Sequence, residues 1–291
     1  MALSKLIASL FSQKKLDVHR RFELSRGAVS GTMSKFYLAE DRRTKETFGL
    51  KILDMQKTLA LESRFKRLNK PVEGYIASQF KHPGIVETLE YGITTKDERY
   101  LLMEFVGGPG VNAVIGARDY LLDGKRFRFI RQAAESVAAV HDAEYIHRDI
   151  CPRNLILTSD LENVKLIDFG LTVPATPDFM QPGNRTGTPN YMAPEVVRRR
   201  PVDKRLDVFA FGVTAYEIMT SQLPWRSGNT GMIAMLHDTE PPADIRKYRP
   251  QINPTLATAI HSCLLADVNQ RCQSIKSFLE MIKGLDSEDA K

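Results

Sequence analysis

The chain has little cysteine, no long apolar run and no internal repeat. Cysteine occurs three times in 291 residues, at Cys151, Cys263 and Cys272. An odd, sparse set excludes a disulfide framework and suits a reducing compartment, so a cytoplasmic location is expected. No apolar stretch approaches the roughly eighteen residues needed to span a bilayer. The run Leu6-Ile7-Ala8-Ser9-Leu10-Phe11 is too short for a signal peptide. No low-complexity tract stands out.

What is present fits a folded protein of more than one small domain. Apolar residues make up 43% and charged residues 26%, enough core material that disorder is not the default. The net charge of +6 reads as a basic enzyme surface rather than a nucleic-acid site, so no nucleic-acid partner is expected. Residues 1–19 form a separate extension. Lys5, Lys14, Lys15 and His19 flank its apolar run, and as a helix it would be amphipathic and basic. Such a segment can touch a membrane surface or a partner, fray, or pack on the first domain.

Periodicity divides the rest. Residues 20–106 read as β-rich, with strands at 36–39, 47–53, 85–91 and 100–106. A basic helix is expected over 56–69. Pro71 can open a second helix carrying Glu73, Ile76 and Phe80, which His82-Pro83-Gly84 ends. Gly107-Gly108-Pro109-Gly110 is a flexible break. Residues 107–283 read as mainly helical, with helices at 127–141, 205–220, 255–266 and 273–284 and short strands at 155–157 and 164–167. Residues 284–291 are a tail. The class is α+β, with two lobes, and the join of two domains is a usual cofactor site.

The chemistry-bearing residues fall in the second part. Asp149, Asn154 and Asp168 are oxygen donors of the kind that hard cations such as magnesium require. Asp149 can also accept a hydrogen bond from an attacking hydroxyl. Singly, each would be read as a turn or cap residue. Together they stand in a fixed order: His147-Arg148-Asp149 with Asn154, then Asp168-Phe169-Gly170, then Ala193-Pro194-Glu195. That series resembles the signature of the eukaryotic-type protein kinases, and the resemblance covers residues 20–283.

The resemblance implies a two-lobed protein kinase-like fold, ATP and Mg2+ as cofactors, and a protein substrate with a Ser or Thr acceptor. It implies Asp149 as the residue that orients the hydroxyl, and Asn154 and Asp168 as metal ligands. Lys51, in Phe48-Gly49-Leu50-Lys51, stands where the family's phosphate-binding lysine lies. Its acidic partner is expected at Glu73, nine residues before His82, with Glu62 as the competitor. The phosphate-covering loop matches poorly: of its glycines Gly31 survives, with Gly27 upstream, and Phe36 takes the place of a valine that packs on adenine. Met103, Glu104 and Val106 match the segment that joins the lobes. With Gly31, Phe36, Lys51 and Ile156 they complete the implied nucleotide-binding set.

Gly187-Thr188-Pro189-Asn190-Tyr191-Met192 before Ala193-Pro194-Glu195 resembles the Ser/Thr-specific branch. Thr188 is expected near Asp149. Arg148 is a ready partner for a phosphorylated loop residue, with Thr176 and Thr186 as candidates and Asn184 at the position often modified in relatives. Asp207 matches a helix residue that supports the catalytic loop, and Arg271 one that pairs with Glu195. Two departures lie beside Asp149. Cys151 replaces a lysine that contacts the γ-phosphate, and a thiol cannot neutralise phosphate charge. Arg153 sits at the offset where many tyrosine kinases carry an arginine, and is expected to supply the missing cation. The degraded glycine loop and Cys151 keep open an alternative, a pseudokinase scaffold.

Overall fold

The computed structural model describes residues 15–25, 29–30, 33–65, 68–117, 120–183, 185–226 and 231–290. The glycine-loop residues Gly27 and Gly31, Asn184, and most of the N-terminal extension lie outside them. The chain divides into two compact units, residues 1–81 with 86–106 and residues 82–85 with 107–291.

The first unit is built on an antiparallel sheet. A short helix α1 (Val18–Arg21) leads into β1 (Phe22–Leu24). Then come β2 (Val29–Ser30), β3 (Ser34–Asp41), β4 (Thr47–Leu53), β5 (Thr88–Ile93) and β6 (Arg99–Glu104). The spatial order is β1-β3-β4-β6-β5, with β2 also on β3. The β3–β4 turn is closed by Asp41, whose Oδ1 accepts the amides of Arg43 and Thr44 at 2.9 and 3.2 Å. Short polar side chains do this readily, which is why the turn is legible in sequence. One face of the sheet buries Phe22, Ala39, Leu50, Tyr100 and Leu102, with Val18 packed on them. Part of the extension therefore docks: Val18 is buried, and Leu16 bridges Thr94.

Helix α2 (Met55–Glu62) is capped by Asp54 and gives way to a 3-10 turn through Phe65, well short of the 56–69 helix expected. The next helix, α3 (Glu73–Ala77), is shorter still. Pro71 does not open it; Val72, in extended backbone with ψ 149°, is its N-cap, and Glu73 is the first helical residue. Gly74 permits this placement. A Cβ there would lie 2.6 Å from Cβ and Cγ of Tyr91 on β5, so only a glycine lets the helix approach the strand.

In the second unit α4 (Val111–Ala117) precedes the long helix α5 (Arg126–Asp142). Four short strands follow: β7 (Tyr145–Ile146), β8 (Leu155–Leu157), β9 (Val164–Leu166) and β10 (Val173–Pro174). They pair as β7–β10 and β8–β9. The remaining helices are α6 (Pro194–Val197), α7 (Arg205–Thr220), α8 (Gly231–Thr239), α9 (Pro254–Cys263) and α10 (Ile275–Met281). Helix α7 is buried along nearly all its length, so it shows no polar face and forms the centre of this unit.

Residues 82–85 belong here rather than with the strands they precede. The Gly84 carbonyl accepts from Leu166 N and Ser136 Oγ, each at 2.7 Å, and Ile85 bridges Leu166. The expected strand at 85–91 accordingly begins only at Thr88. The tail also folds back. Buried Glu288 accepts the amide of Phe127 in the first turn of α5 at 3.1 Å, where a carboxylate suits the helix N-terminus. Among the described residues, no helix is long and apolar enough to cross a membrane.

Candidate active site

The candidate residues divide between the units. In the first, β4 places Lys51 opposite Phe36 of β3 and Leu101 of β6. Lys51 Nζ lies 2.6 Å from Glu73 Oε1, and both side chains are about nine-tenths buried. A buried pair of this kind fixes geometry, since losing either partner strands a charge. The competitor Glu62 is taken by Arg99, at 2.5 Å. The ring of Phe36 lies over Gly49: a Cβ at 49 would sit 2.8 Å from Phe36 Cζ. The large ring and the absent side chain thus go together. Met103 is buried on β6 opposite Gly49. Glu104 closes β6 and turns its carboxylate to the Glu87 amide at 2.8 Å, while Val106 is half-buried.

In the second unit two small ladders clamp the loops that matter. The segment 147–154 is held by β7 at one end and β8 at the other; the segment 167–172 is held by β9 and β10. Ile146 pairs with Val173, Leu155 with Leu166, and Ile167 N donates to Asn154 O at 2.9 Å. Ile156, on β8, is half-buried and pairs with Lys165. Between these anchors the backbone is strained. Arg148 and Asp168 both adopt positive φ, 70° and 68°, which non-glycine residues avoid unless surrounding structure holds them there.

Asp207 supplies much of that hold at the first loop. It is wholly buried on α7, and its carboxylate accepts the amides of His147 and Arg148 at 2.7 and 2.8 Å, with His141 Nε2 at 3.0 Å. Burial opposes its ionisation, but the His141 bond, the neighbouring imidazoles and the amides prevail and keep the carboxyl below its ordinary value. His141 lies far from Asp207 in sequence, and no local signal marks it. The ring of His147 packs edge-on against Phe169 at 5.3 Å, tying the two loops together.

Asp149 then meets four donors. Its Oδ1 accepts the amide and hydroxyl of Thr188 at 3.0 and 2.7 Å. Its Oδ2 accepts Asn154 Nδ2 at 2.9 Å and faces Arg153 Nη2 at 3.4 Å. Arg153 also donates to Thr188 Oγ1 at 3.0 Å, while more than half its side chain stays exposed. Cys151 lies under this cluster, buried, its Sγ 3.8 Å from Thr188 Oγ1. Burial and then the Asp149 charge push its thiol up to about 12, so it stays neutral and unreactive. The lysine position has thus become a small apolar filler, and Arg153 is the cation beside Asp149.

Asn154 and Asp168 pass a test of fit as oxygen ligands. Asn154 commits Nδ2 to the carbonyl and carboxylate of Asp149, at 2.7 and 2.9 Å, which turns its Oδ1 away from that residue. Asp168 gives Oδ1 to the Gly170 amide at 3.0 Å. One carboxylate and one amide oxygen suit magnesium, which usually completes its shell with water and phosphate oxygens. No cluster of three or more acidic, histidine or cysteine ligands occurs among the described residues.

Thr188 owes its position to Gly187. That residue has φ 126°, and a Cβ on it would lie 2.8 Å from the Arg148 carbonyl. Gly187→Ala should push Thr188 off Asp149 and lower phosphoryl transfer roughly tenfold or more, with nucleotide affinity unchanged. Titrating a fluorescent nucleotide beside a transfer assay checks both halves. Of the two candidate phosphorylation sites, Thr186 is buried, whereas Thr176 is exposed with no side-chain cap bond.

Comparison with known proteins places the chain in a family. The profile of the protein kinase domain matches residues 26–281. Serine/threonine-protein kinase pkn3 of Myxococcus xanthus is 29% identical over 273 residues, covering 89% of this chain and 48% of its own. Serine/threonine-protein kinase PrkC of Bacillus subtilis is 27% identical, covering 90% and 40%. CBL-interacting serine/threonine-protein kinase 13 of Arabidopsis thaliana is 34% identical over 216 residues, covering 72% and 41%. The chain belongs to the protein kinase family. It spans less than half the length of these curated relatives.

Proposed function

We propose that this chain transfers the γ-phosphoryl group of ATP to a serine or threonine hydroxyl of a protein. The observation that carries this reading is the 2.7 Å hydrogen bond from the Thr188 hydroxyl to Asp149 Oδ1. A carboxylate fixed by Asp207-anchored backbone already accepts a hydrogen bond from an aliphatic alcohol, the chemical group of the acceptor.

The residues then take these roles. Lys51, held by Glu73, binds the α- and β-phosphates. Gly31, Phe36, Met103, Glu104, Val106 and Ile156 contribute to the nucleotide site. Asn154 and Asp168 would hold Mg2+, which neutralises phosphate charge when bound. Asp149 orients the incoming hydroxyl and takes its proton late in the transfer. Arg153 replaces the missing lysine: it rotates from Thr188 toward the transferring group, a step its exposure permits.

Incubation with labelled ATP, magnesium and a generic protein substrate tests the reading, and label is expected on serine or threonine. Arg153→Ala should lower turnover roughly tenfold or more, because electrostatic stabilisation is a large part of this catalysis. Unchanged turnover would remove Arg153 from the mechanism. A second reading, a scaffold that binds nucleotide or protein without turnover, is favoured by Cys151 and by the degraded glycine loop, in which Ser34 and Phe36 depart from the family pattern. Nucleotide binding with no labelled product at any substrate concentration would establish it.

A further inference from the structure

Two of the three cysteines form a pair that the phosphoryl-transfer site does not use. Cys263 ends α9, and Cys272 follows Arg271 at the far end of the intervening loop. The Cys272 amide donates to the Ser262 carbonyl at 3.0 Å, which brings the loop's two ends, and the two cysteines, together. Cys263 is fully buried over Gly212, where a side chain would not fit: a Cβ would lie 2.6 Å from the Cys263 Cβ. Cys272 is 8% exposed, and its Sγ donates to the Ser274 carbonyl at 3.2 Å.

The loop these cysteines bracket is where Arg271 is gripped. Arg271 Nε donates to Leu265 O at 2.9 Å and Nη2 to Ala266 O at 3.2 Å, both from within the loop. Its other bonds reach Arg205 O at 2.9 Å and Glu195, at the end of the segment that carries Thr188, at 2.8 and 2.9 Å.

We propose that Cys263 and Cys272 form a reversible disulfide on exposure to hydrogen peroxide, and that the cross-link loosens Arg271 from Glu195. The Cys272 thiolate attacks one peroxide oxygen, giving a sulfenic acid and hydroxide. The Cys263 sulfur then displaces hydroxide from that sulfenic acid, with loss of its own proton, and water leaves. Two thiols and one peroxide become one disulfide and two waters, the sulfurs losing the two electrons that peroxide gains. The hydrogen bond from Cys263 lowers the Cys272 thiol to about 7, making it the attacking group, whereas burial holds Cys263 and Cys151 up. Drawing the sulfurs to a bond length of about 2 Å shortens the span from 263 to 272 and carries the 265 and 266 carbonyls off the guanidinium.

The test treats the full chain with hydrogen peroxide, alkylates free thiols and maps peptides without reductant. A peptide pair linking Cys263 to Cys272, released by dithiothreitol, is expected. Cys272→Ser should abolish it, and Cys263→Ala should abolish it too while slowing oxidation of Cys272, which loses the hydrogen bond that lowers its thiol; either variant suffices should the other fail to fold. Amide exchange across 193–198 should quicken about fivefold or more in the cross-linked protein, as a released segment opens more often. Oxidation confined to Cys151, or no linked pair, would overturn the proposal. A linked pair with unchanged exchange would overturn its coupling to Glu195. Neither readout requires turnover, so the outcome is separate from that of the proposed activity.

Discussion

Asp149→Asn should leave a folded protein that binds nucleotide and transfers phosphate roughly 10²–10⁴-fold more slowly, the range expected for a positioned acid–base group. The replacement keeps the shape and removes the charge. In the wild type both carboxylate oxygens accept: Oδ1 from Thr188 twice, Oδ2 from Asn154. An amide can keep the Thr188 bonds, but its Nδ2 then faces Asn154 Nδ2 and Arg153, both donors. The side chain can no longer take a proton from an alcohol. Steady-state transfer, nucleotide titration and thermal unfolding on the same preparation separate the effects. Transfer within threefold of wild type, with folding intact, would take Asp149 out of the chemistry.

Such a test rests on residues that the sequence already brought forward, because their order along the chain is itself the signal. Asp149, Asn154 and Asp168 recur at offsets set by two short strand pairs, β7–β10 and β8–β9, so the motif and the ladders are one structure. Strand β4 was legible to the residue, since its apolar run is bounded by a polar turn on one side and Asp54, the cap of α2, on the other.

The helices around Glu73 were less legible. Their limits depend on Gly74 touching Tyr91 and on Val72 taking extended backbone, both tertiary facts that local propensity cannot express. Strand β5 begins late because Gly84 and Ile85 bond to α5 and β9, far along the chain. The burial of Cys151 under Thr188, the Glu62–Arg99 pair and the support of Asp207 by His141 had no sequence signal for the same reason.

The largest effect on stability is expected at Arg271. Its guanidinium is fully buried and all its donors are engaged: Nε with Leu265 O, Nη1 with Glu195 Oε1 and Arg205 O, Nη2 with Glu195 Oε2 and Ala266 O. It also lies 5.0 Å from the centre of the Phe209 ring on α7. Arg271→Met keeps the aliphatic volume and strands the Glu195 carboxylate, itself 3% exposed, together with three carbonyls. Breaking one side of a buried pair costs about 3–5 kcal/mol, enough to lower the thermal midpoint by roughly 10 °C in a domain of this size. Glu195→Leu alone should cost a similar amount by stranding the guanidinium. The double variant Arg271→Met with Glu195→Leu should recover a large part of the loss, because two apolar groups replace two charges. Phosphoryl transfer should not recover with it, since the bidentate geometry that fixes the segment bearing Thr188 is gone. Chemical denaturation of the four proteins measures the first effect and a transfer assay the second. Recovery of both together would mean that the pair supplies stability alone and does not hold Thr188 against Asp149.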